Sequence, residues 1–382
     1  GPSMHRDIST LTLTEDKTRN WLLENTLTYD NRFGKHTVKA LAGQGAQSYR
    51  FYKRIGSAQN LPNGSSFEYL SNGTNLFYRD VDPNSPPGYP LYNTIASYFG
   101  RVNYSYDNKY MLTASIRADG SSKYAEEHRW GYFPSVGIGW VVTKEKFMQS
   151  QKIFDNLKLR ASWGQVGNAS VPANLSIQPV TQSPQLIAIF NGTAYQGANI
   201  DRVVPPTTFW EKSEGTDVGI EAALLKNRLN VEIGYYNKKT LDAIFAIPIP
   251  GSVGAAGSDL VGNSATFQNR GMEFLVSWKD DLNKNLSYFI SANFAFNNNK
   301  VLSTVTGANP IYGGGNGLAN GSLATRTVLG QPIGHFFGHQ VIGVFQTDAE
   351  AAPWGAKAGD FRYADVNNDG KIDGLDRVVL GN

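Results

Sequence analysis

Residues 98–117 read YFGRVNYSYDNKYMLTASIR, and apolar and polar side chains alternate in them on both sides of a short polar segment. A period of two residues is typical of a β-strand with one apolar and one polar face. The polar segment 107–109 predicts a tight turn, so that the two strands form an antiparallel hairpin. The polar face of this hairpin carries Arg101, Asn103 and Arg117.

The same hairpin pattern recurs along the chain. It returns in residues 21–41, 217–235 and 272–296, each time around a short polar turn. In the second of these, Glu221 and Glu232 lie on the polar face. We count about ten such strands of roughly nine to eleven residues, the length that a tilted strand needs to cross a bilayer. The pattern predicts an all-β, antiparallel protein of about ten to twelve strands.

The connections between these strands differ in length. Turns within hairpins are mostly short, whereas connections between hairpins are long, at about residues 44–96, 165–215, 238–269 and 298–340. Short turns on one side and long loops on the other are typical of outer-membrane barrels. A soluble β-sandwich usually has shorter connections throughout. We therefore predict a transmembrane β-barrel with long extracellular loops.

The composition agrees with this class and argues against several others. The chain has 40 glycines, 19 tyrosines and 20 phenylalanines, as expected for many strands joined by turns. It has no cysteine, which excludes disulfides and thiolate metal sites. The net charge is +3 without a lysine or arginine run, so no nucleic-acid partner is expected. Neither a Gly-x-Ser-x-Gly elbow nor a phosphate-binding loop is present, and we predict that the chain is not an enzyme.

Closure is the next requirement, because in lipid every backbone group must be paired and a sheet survives only as a barrel. The chain stops at residue 382 without a terminal aromatic strand, and we interpret it as part of a larger barrel. Residues 1–4 look like the remnant of a purification tag, and residues 5–382 are taken as the partial barrel. Aromatic side chains at the strand ends suit the interfacial girdles of such barrels: Tyr98, Tyr104, Tyr106, Tyr110, Trp130, Trp140, Trp163, Tyr235 and Tyr236.

Several segments match a known family in order along nearly the whole chain. They are residues 98–104, 109–122, 130–135, 157–168, 210–212, 227–229, 235–240 and 269–273. In these segments the sequence resembles SusC/RagA-like TonB-dependent transporters of the bacterial outer membrane.

The resemblance implies a barrel of about 22 strands with a plugged lumen. It implies import of oligosaccharides or peptides, driven by the TonB complex through an amino-terminal region that this sequence lacks, with a SusD-like lipoprotein capping the barrel. The barrel would contact outer-membrane lipid. The polar strand residues are then predicted to line the lumen: Arg101, Asn103, Arg117, Glu221 and Glu232. No sequence motif separates a glycan cargo from a peptide cargo.

Residues 365–376 read DVNNDGKIDGLD and fit a twelve-residue EF-hand-like loop. Oxygen ligands fall at the spacing that wraps Ca²⁺, with glycine at the sixth position and aspartate in place of the usual glutamate at the twelfth. No flanking helices are evident, so a bound Ca²⁺ would be structural. The alternative is a surface loop whose Asn and Asp residues favour turns. The predicted ligands are Asp365, Asn367, Asp369, Lys371 through its carbonyl, Asp373 and Asp376.

A rival interpretation shares both the alternation and the cation loop. It is a soluble, calcium-stabilised β-domain that acts as an adhesin or carbohydrate-binding module. Its apolar faces would pack against each other instead of facing lipid.

Overall fold

The computed structural model describes residues 8–62, 69–80, 91–169, 171, 180–200, 202–203, 208–248, 259–307, 309–313 and 324–381. The strands in these ranges are β1 Thr10–Phe33, β2 His36–Gln59, β3 Thr74–Asp80, β4 Leu91–Tyr106, β5 Tyr110–Ser121, β6 Trp130–Val141, β7 Phe154–Asn168, β8 Val180–Phe190, β9 Thr193–Ile200, β10 Arg202–Val203, β11 Glu211–Leu224, β12 Leu229–Pro248, β13 Asp259–Asn283, β14 Leu286–Thr304, β15 Ile311–Gly313, β16 Thr325–Thr327, β17 His335–His339, β18 Val341–Val344, β19 Phe361–Tyr363 and β20 Arg377–Gly381.

In the part of the chain that the structure describes, helical structure is confined to single turns. The α-helix is α1 Asp348–Ala351, and the 3-10 turns are Leu70–Asn72, Glu126–His128, Val142–Lys144, Lys146–Met148, Ala352–Trp354 and Gly374–Asp376. No helix in the described ranges is long and apolar enough to cross a membrane.

Ten long strands form one antiparallel sheet in the order β1-β2-β4-β5-β6-β7-β11-β12-β13-β14. Each of these strands pairs with the long strand that precedes it in the chain. The short strand β3 pairs with β2, and β10 pairs with β13, which brings the sheet to twelve strands. This confirms the predicted all-β, antiparallel architecture of about ten to twelve strands.

The strands are longer than the sequence pattern predicted. β5 and β6 have 12 residues each, whereas β1 and β2 have 24 each and β13 has 25. The prediction of roughly nine to eleven residues was wrong because hydrogen bonding continues beyond the part of a strand that lipid requires. As a result β2 and β4 extend into the predicted loop 44–96, and β12 and β13 extend into 238–269.

The connections at the two ends of the strands differ in length. On one edge the turns span residues 34–35, 107–109, 225–228 and 284–285, and the link between β6 and β7 spans 142–153. Asp107 and Asn108 both have positive φ, which Asn and Asp tolerate better than most residues. On the other edge the link between β7 and β11 covers residues 169–210. The asymmetry that the sequence indicated is therefore present. We name the end of the strands with the short turns the turn edge, and the end with the long connections the loop edge.

One face of the sheet is apolar across all ten long strands. Cross-strand partners lie on the same face, so the register connects side chains from neighbouring strands. One such row runs from strand β2 to β14 through Val38, Tyr104, Leu112, Ile138, Ala161, Val218, Tyr235, Met272 and Phe296. Many side chains of this apolar face are exposed; Ile138, for example, is 59% exposed. An exposed apolar surface of this extent suits lipid and not water.

Aromatic side chains border the apolar face. Tyr106, Tyr110 and Trp140 are register partners near the turn edge, and Tyr98 and Tyr132 occupy another row towards the loop edge. Eight residues separate Tyr98 from Tyr106, which corresponds to about 21 Å of membrane depth at about 3.4 Å per residue and a tilt of roughly 40°. That depth is close to the apolar band of about 25 Å in outer-membrane barrels.

A carboxylate at the turn edge ties one of these aromatic rows to a turn. Glu145 accepts hydrogen bonds from Tyr110 Oη at 2.5 Å and from Trp140 Nε1 at 3.1 Å, and it pairs with Lys109 Nζ at 3.2 Å. The Tyr110 hydroxyl, with Lys109 and Trp140, lowers the pKa of Glu145. The aromatic row is thereby fixed to the connection between β6 and β7.

A small aromatic core lies at the loop edge. Tyr124, Phe133, Val171 and Trp210 form a buried cluster. Trp210 Nε1 donates to the carbonyl of Arg129 at 2.8 Å, and Tyr124 Oη donates to the carbonyl of Asn168 at 2.9 Å. We name these four residues the aromatic hub; it joins the β5–β6 connection to the ends of β7 and β11.

Candidate functional site

The five predicted lumen residues all lie on the face opposite the apolar face, which we call the polar face. Arg101 and Asn103 alternate with Val102 on β4, and Arg117 follows the exposed Ile116 on β5. On the neighbouring strands β11 and β12, Glu221 and Glu232 are direct cross-strand partners. The five residues therefore share a face but form two groups, one on β4–β5 and one on β11–β12.

The first group centres on Arg117. Its Nε donates to the carboxylate of Asp119 at 2.8 Å, and its Nη2 donates to Ser97 Oγ at 2.9 Å. The guanidinium also lies 5.3 Å from the ring centroid of Phe99. Asp119 is nearly buried at 9% exposed, so this ion pair is better shielded from water than a typical surface pair. On the same face Thr113 Oγ1 donates to Asn103 Oδ1 at 3.0 Å.

The second group is a charge network across β7 and β11. Glu221 pairs with Lys158 Nζ at 3.1 Å and with Arg160 Nε at 3.2 Å. Two cations thus offset the juxtaposition of Glu221 and Glu232, which would otherwise be unfavourable as like charges in direct opposition.

Three charged residues of these two groups were not predicted from the sequence: Lys158, Arg160 and Asp119. The signal was present for the first two, because they alternate with Leu157, Leu159 and Ala161 in the same period-two pattern. Tyr236 was assigned to an aromatic girdle, and that assignment was wrong. Its neighbour Tyr235 occupies the apolar face, so Tyr236 falls on the polar face, where its hydroxyl donates to Asn297 Oδ1 at 3.0 Å.

Glycine residues open the polar face between the charged groups. Gly137, Gly164, Gly215, Gly219, Gly234 and Gly271 all occupy polar-face positions. Their effect is clearest at Gly219, where a Cβ would lie 2.8 Å from the Arg160 guanidinium. The absence of a side chain at that position leaves room for Arg160 to lie flat along the sheet. The resulting wall is polar, charged and low in relief.

In the predicted cation loop, residues 365–376, side-chain oxygens accept hydrogen bonds from backbone amides of the same loop. Asp365 accepts from the amides of Asp369 and Gly370, at 3.2 and 2.9 Å. Asp369 accepts from the amide of Lys371 at 2.9 Å, and its other oxygen accepts from Asn367 Nδ2 at 2.9 Å. Asp373 caps the 3-10 turn by accepting from the amide of Leu375 at 2.7 Å. Each predicted carboxylate ligand outside position 376 is therefore already bonded within the loop.

Asp376 is the buried member of this loop, at 0% exposed. Its two oxygens accept from the amides of Val366 at 2.8 Å and Asp373 at 2.9 Å, and the backbone amide of Asp373 above all lowers its pKa. Within the described residues no three His, Cys, Asp or Glu side chains are grouped as they would be around a metal ion. The bound Ca²⁺ stays a prediction, and the observed geometry is that of linked Asx turns.

Comparison with known proteins identifies the architecture. Residues 4–378 match the family described as TonB dependent receptor-like, beta-barrel. The TonB-dependent receptor P26 of Formosa agariphila is 30% identical over 380 residues, covering 95% of this chain and 36% of the relative. The TonB-dependent receptor SusC of Bacteroides thetaiotaomicron is 27% identical over 306 residues, covering 78% of this chain and 29% of the relative.

Solved structures agree at the level of the fold. The RagAB peptide importer in its open-open state superposes with a TM-score of 0.77 at 21% identity, covering all of this chain and 39% of the solved chain. The structure of the RagAB peptide transporter gives a TM-score of 0.76 at 20% identity. The chain thus spans between 29% and 39% of the length of these relatives.

Proposed function

The chain belongs to the TonB-dependent receptor-like β-barrel family of the bacterial outer membrane, and from this premise we propose that it forms part of the wall of a SusC/RagA-type importer. Membership confirms the resemblance seen in the sequence, the barrel fold and the outer-membrane location. It also excludes the rival interpretation as a soluble adhesin or carbohydrate-binding module. The family consists of receptors and transporters, in agreement with the prediction that the chain is not an enzyme.

The observation that carries the proposal is the two-faced sheet. Its apolar face presents an exposed hydrophobic band bordered by aromatic residues, which fits the hydrocarbon of a bilayer. Its polar face presents Arg101, Arg117, the Glu221 network and a series of glycines, which fits an aqueous lumen. A wall of this kind performs gated passage, and its side chains contact a plug or cargo without altering it chemically.

The cargo that we propose is an oligosaccharide or a peptide. The polar face supports this class because it supplies charge-assisted donors and acceptors to a polar, extended solute. The same face carries both cations and carboxylates, and either cargo can use them. The solved RagAB relatives are named for peptide, and SusC is named as a TonB-dependent receptor. Coupling to the TonB complex is proposed through the amino-terminal region of the full receptor.

A SusD-like lipoprotein is the proposed partner at the loop edge. Residues beyond β14 display large apolar side chains that the described structure leaves exposed: Phe336, Ile342, Phe361, Leu375 and Leu380. Leu375 is the most exposed of these at 73%. Exposed apolar groups on a polar, extracellular segment are typical of a protein interface.

A structural Ca²⁺ in residues 365–376 is the remaining proposal. The order of oxygen-bearing residues supports it, and Asp365, Asn367, Asp369, the Lys371 carbonyl and Asp373 would supply the ligands. Both carboxylate oxygens of Asp376 already accept backbone hydrogen bonds, so Asp376 would ligate the ion through its remaining lone pairs. Heat denaturation of the full receptor in CaCl₂ and in EDTA tests this: Asp369→Asn should abolish a calcium-dependent rise in Tm, whereas Asp281→Asn, in a turn-edge segment, should not. An identical Tm in both solutions would refute the site.

The function itself is tested on the full-length receptor from its native host. Extraction of the outer membrane in detergent, purification of the receptor and mass spectrometry of the copurifying species should yield a stoichiometric SusD-like lipoprotein. A glycan or peptide in the same sample would identify the cargo class. Recovery of the receptor from the soluble fraction, or its purification without a lipoprotein, would contradict the importer proposal.

A further inference from the structure

The apolar face ends, at the loop edge of β1 and β2, in a group of cations. Lys17 and Arg19 lie on β1, and Arg50 and Arg54 lie on β2; all four are exposed. They occupy the same face as Trp21 and Leu23, because positions 17, 19, 21 and 23 alternate with polar-face positions and Arg50 is the register partner of Arg19. We name these four residues the basic patch.

The electrostatic interactions within the basic patch are unfavourable when no anion is bound. Arg19 and Arg50 are direct cross-strand partners, and like charges in that position repel. Arg54 pairs with Glu15 at 3.7 Å, and Lys17, Arg19 and Arg50 lie near this ion pair on the same face. Among the described residues no acidic side chain lies within ion-pair distance of Lys17 or Arg19. An anion bound between the strands would remove this repulsion.

The basic patch also surrounds a shallow depression. A depression of about 180 Å³ is lined by Glu15, Lys17, Arg19, Tyr52 and Arg54. Arg50 is the register partner of the lining residue Arg19, and its guanidinium lies 4.7 Å from the ring centroid of Tyr92. Stacking on Tyr92 holds the guanidinium in one orientation, which reduces the entropy that Arg50 loses when it binds a ligand.

The position of the basic patch along the membrane normal indicates which kind of anion it binds. The Arg19–Arg50 pair follows the Trp21–Ser48 pair on the same face, about 7 Å further along the strands. Trp21 is 52% exposed and shares the face of Trp130 and Tyr132, one and two same-face register pairs nearer the loop edge than their rows. Interfacial tryptophan marks the boundary between hydrocarbon and headgroups, so the basic patch lies at the level of the headgroups.

We propose that the basic patch binds the phosphate-bearing headgroup of an outer-leaflet lipid. The paired guanidinium groups of Arg19 and Arg50 grip the phosphate oxygens, Lys17 adds a point charge, and the acyl chains lie against the apolar face next to Leu23 and Leu27. The proposal depends on the outer-membrane location and is independent of the cargo and the lipoprotein.

The test is binding of defined lipids to the full-length receptor in neutral detergent, measured by native mass spectrometry. The probes are monophosphoryl lipid A and the same lipid A after dephosphorylation. Arg19→Gln with Arg50→Gln should weaken binding of the phosphorylated lipid roughly tenfold. Lys226→Gln with Lys284→Gln makes the same charge change at the turn edge and should have no effect. Heat denaturation of each variant without lipid establishes that it is folded.

The outcomes separate the possible sources of phosphate. Preference for the phosphorylated lipid, lost in the arginine variant and resistant to millimolar inorganic phosphate, is the expected result. Equal binding of both lipids, or equal binding by the arginine variant, would refute the site. Displacement of the lipid by inorganic phosphate would also refute it, because the patch would then recognise a free anion and not a lipid.

Discussion

At the scale of single residues, position on the sheet determines what a charge does. Arg101 and Arg117 share a face and a residue type, yet Arg117 bonds a nearly buried carboxylate whereas Arg101 has no ion pair within the described residues. The two arginines therefore separate a structural role, at Arg117, from the lumen-lining role that we propose for Arg101.

Arg117→Ala should destabilise the receptor, because Asp119 loses its charged partner while remaining shielded from water. We expect a loss of about 1–2 kcal/mol, the usual cost of an unsatisfied, partly buried group. Arg101→Ala is the matched control and should leave unfolding unchanged. Heat denaturation in detergent compares the two variants; an equal loss in both would argue against the Asp119 pair as the cause.

The lowered pKa of Asp376 predicts that the stability of the loop 365–376 depends on pH. Its pKa is lowered in the folded protein, so its contribution is present above the ordinary aspartate pKa and is lost as the pH falls through the lowered value. The amides of Val366 and Asp373, which bond its carboxylate, should lose protection under acid conditions, so that their exchange approaches the intrinsic rate at each pH. Hydrogen exchange across an acid series measures this, and Asp376→Asn should show the faster exchange already at neutral pH. Unchanged protection in that variant would contradict the assignment.

At the scale of elements, alternation was enough to predict the hairpins and the two faces of their strands. Residues 98–117 became β4 and β5 with Tyr106 opposite Tyr110, as the turn at 107–109 implied. The strand ends were not predictable from the same signal, because pairing continues beyond the lipid, where polar residues no longer mark it. The contacts of the aromatic hub could not be predicted either. Trp210 donates to the carbonyl of a residue 81 positions away in the sequence, and no local pattern encodes such a contact.

Adjacent positions on β4 offer a direct test of the two faces. Val102 lies midway between the aromatic rows of the apolar face and is 45% exposed, whereas Asn103 lies on the polar face. Val102→Lys should cost about 2–4 kcal/mol, as expected for a cation near the bilayer midplane. Asn103→Lys should cost much less, since its ammonium group would lie on the polar face, which we propose borders the aqueous lumen. Urea unfolding in lipid vesicles gives both values; similar costs would show that the faces are assigned incorrectly.

At the scale of the whole molecule, the open sheet explains why this chain requires the remainder of its receptor. Within the described residues β1 and β14, with 24 and 19 residues, each pair with a long strand on one side only. Unpaired backbone groups in hydrocarbon cost several kcal/mol each, so an open edge does not persist in lipid.

Residues 8–381 expressed alone should therefore fail to insert as a monomer and should associate through these edges. The complete receptor, which supplies the missing strands, is the control. Size-exclusion chromatography in detergent distinguishes the two, and a monodisperse, heat-modifiable monomer of the isolated chain would show that the ten long strands close on themselves.

The aromatic hub has an evolutionary consequence. Val171 and Trp210 fix both ends of the intervening segment to the same cluster, so the separation between those ends stays constant whatever lies between them. Loop-closure entropy grows only slowly with length, by about 0.6 kcal/mol for each doubling. Natural selection is thereby free to lengthen, shorten or replace residues 172–207 while the barrel wall beneath keeps its geometry. Changes of length or sequence in that interval therefore cost the barrel wall little stability, and the hub marks the boundary between the two.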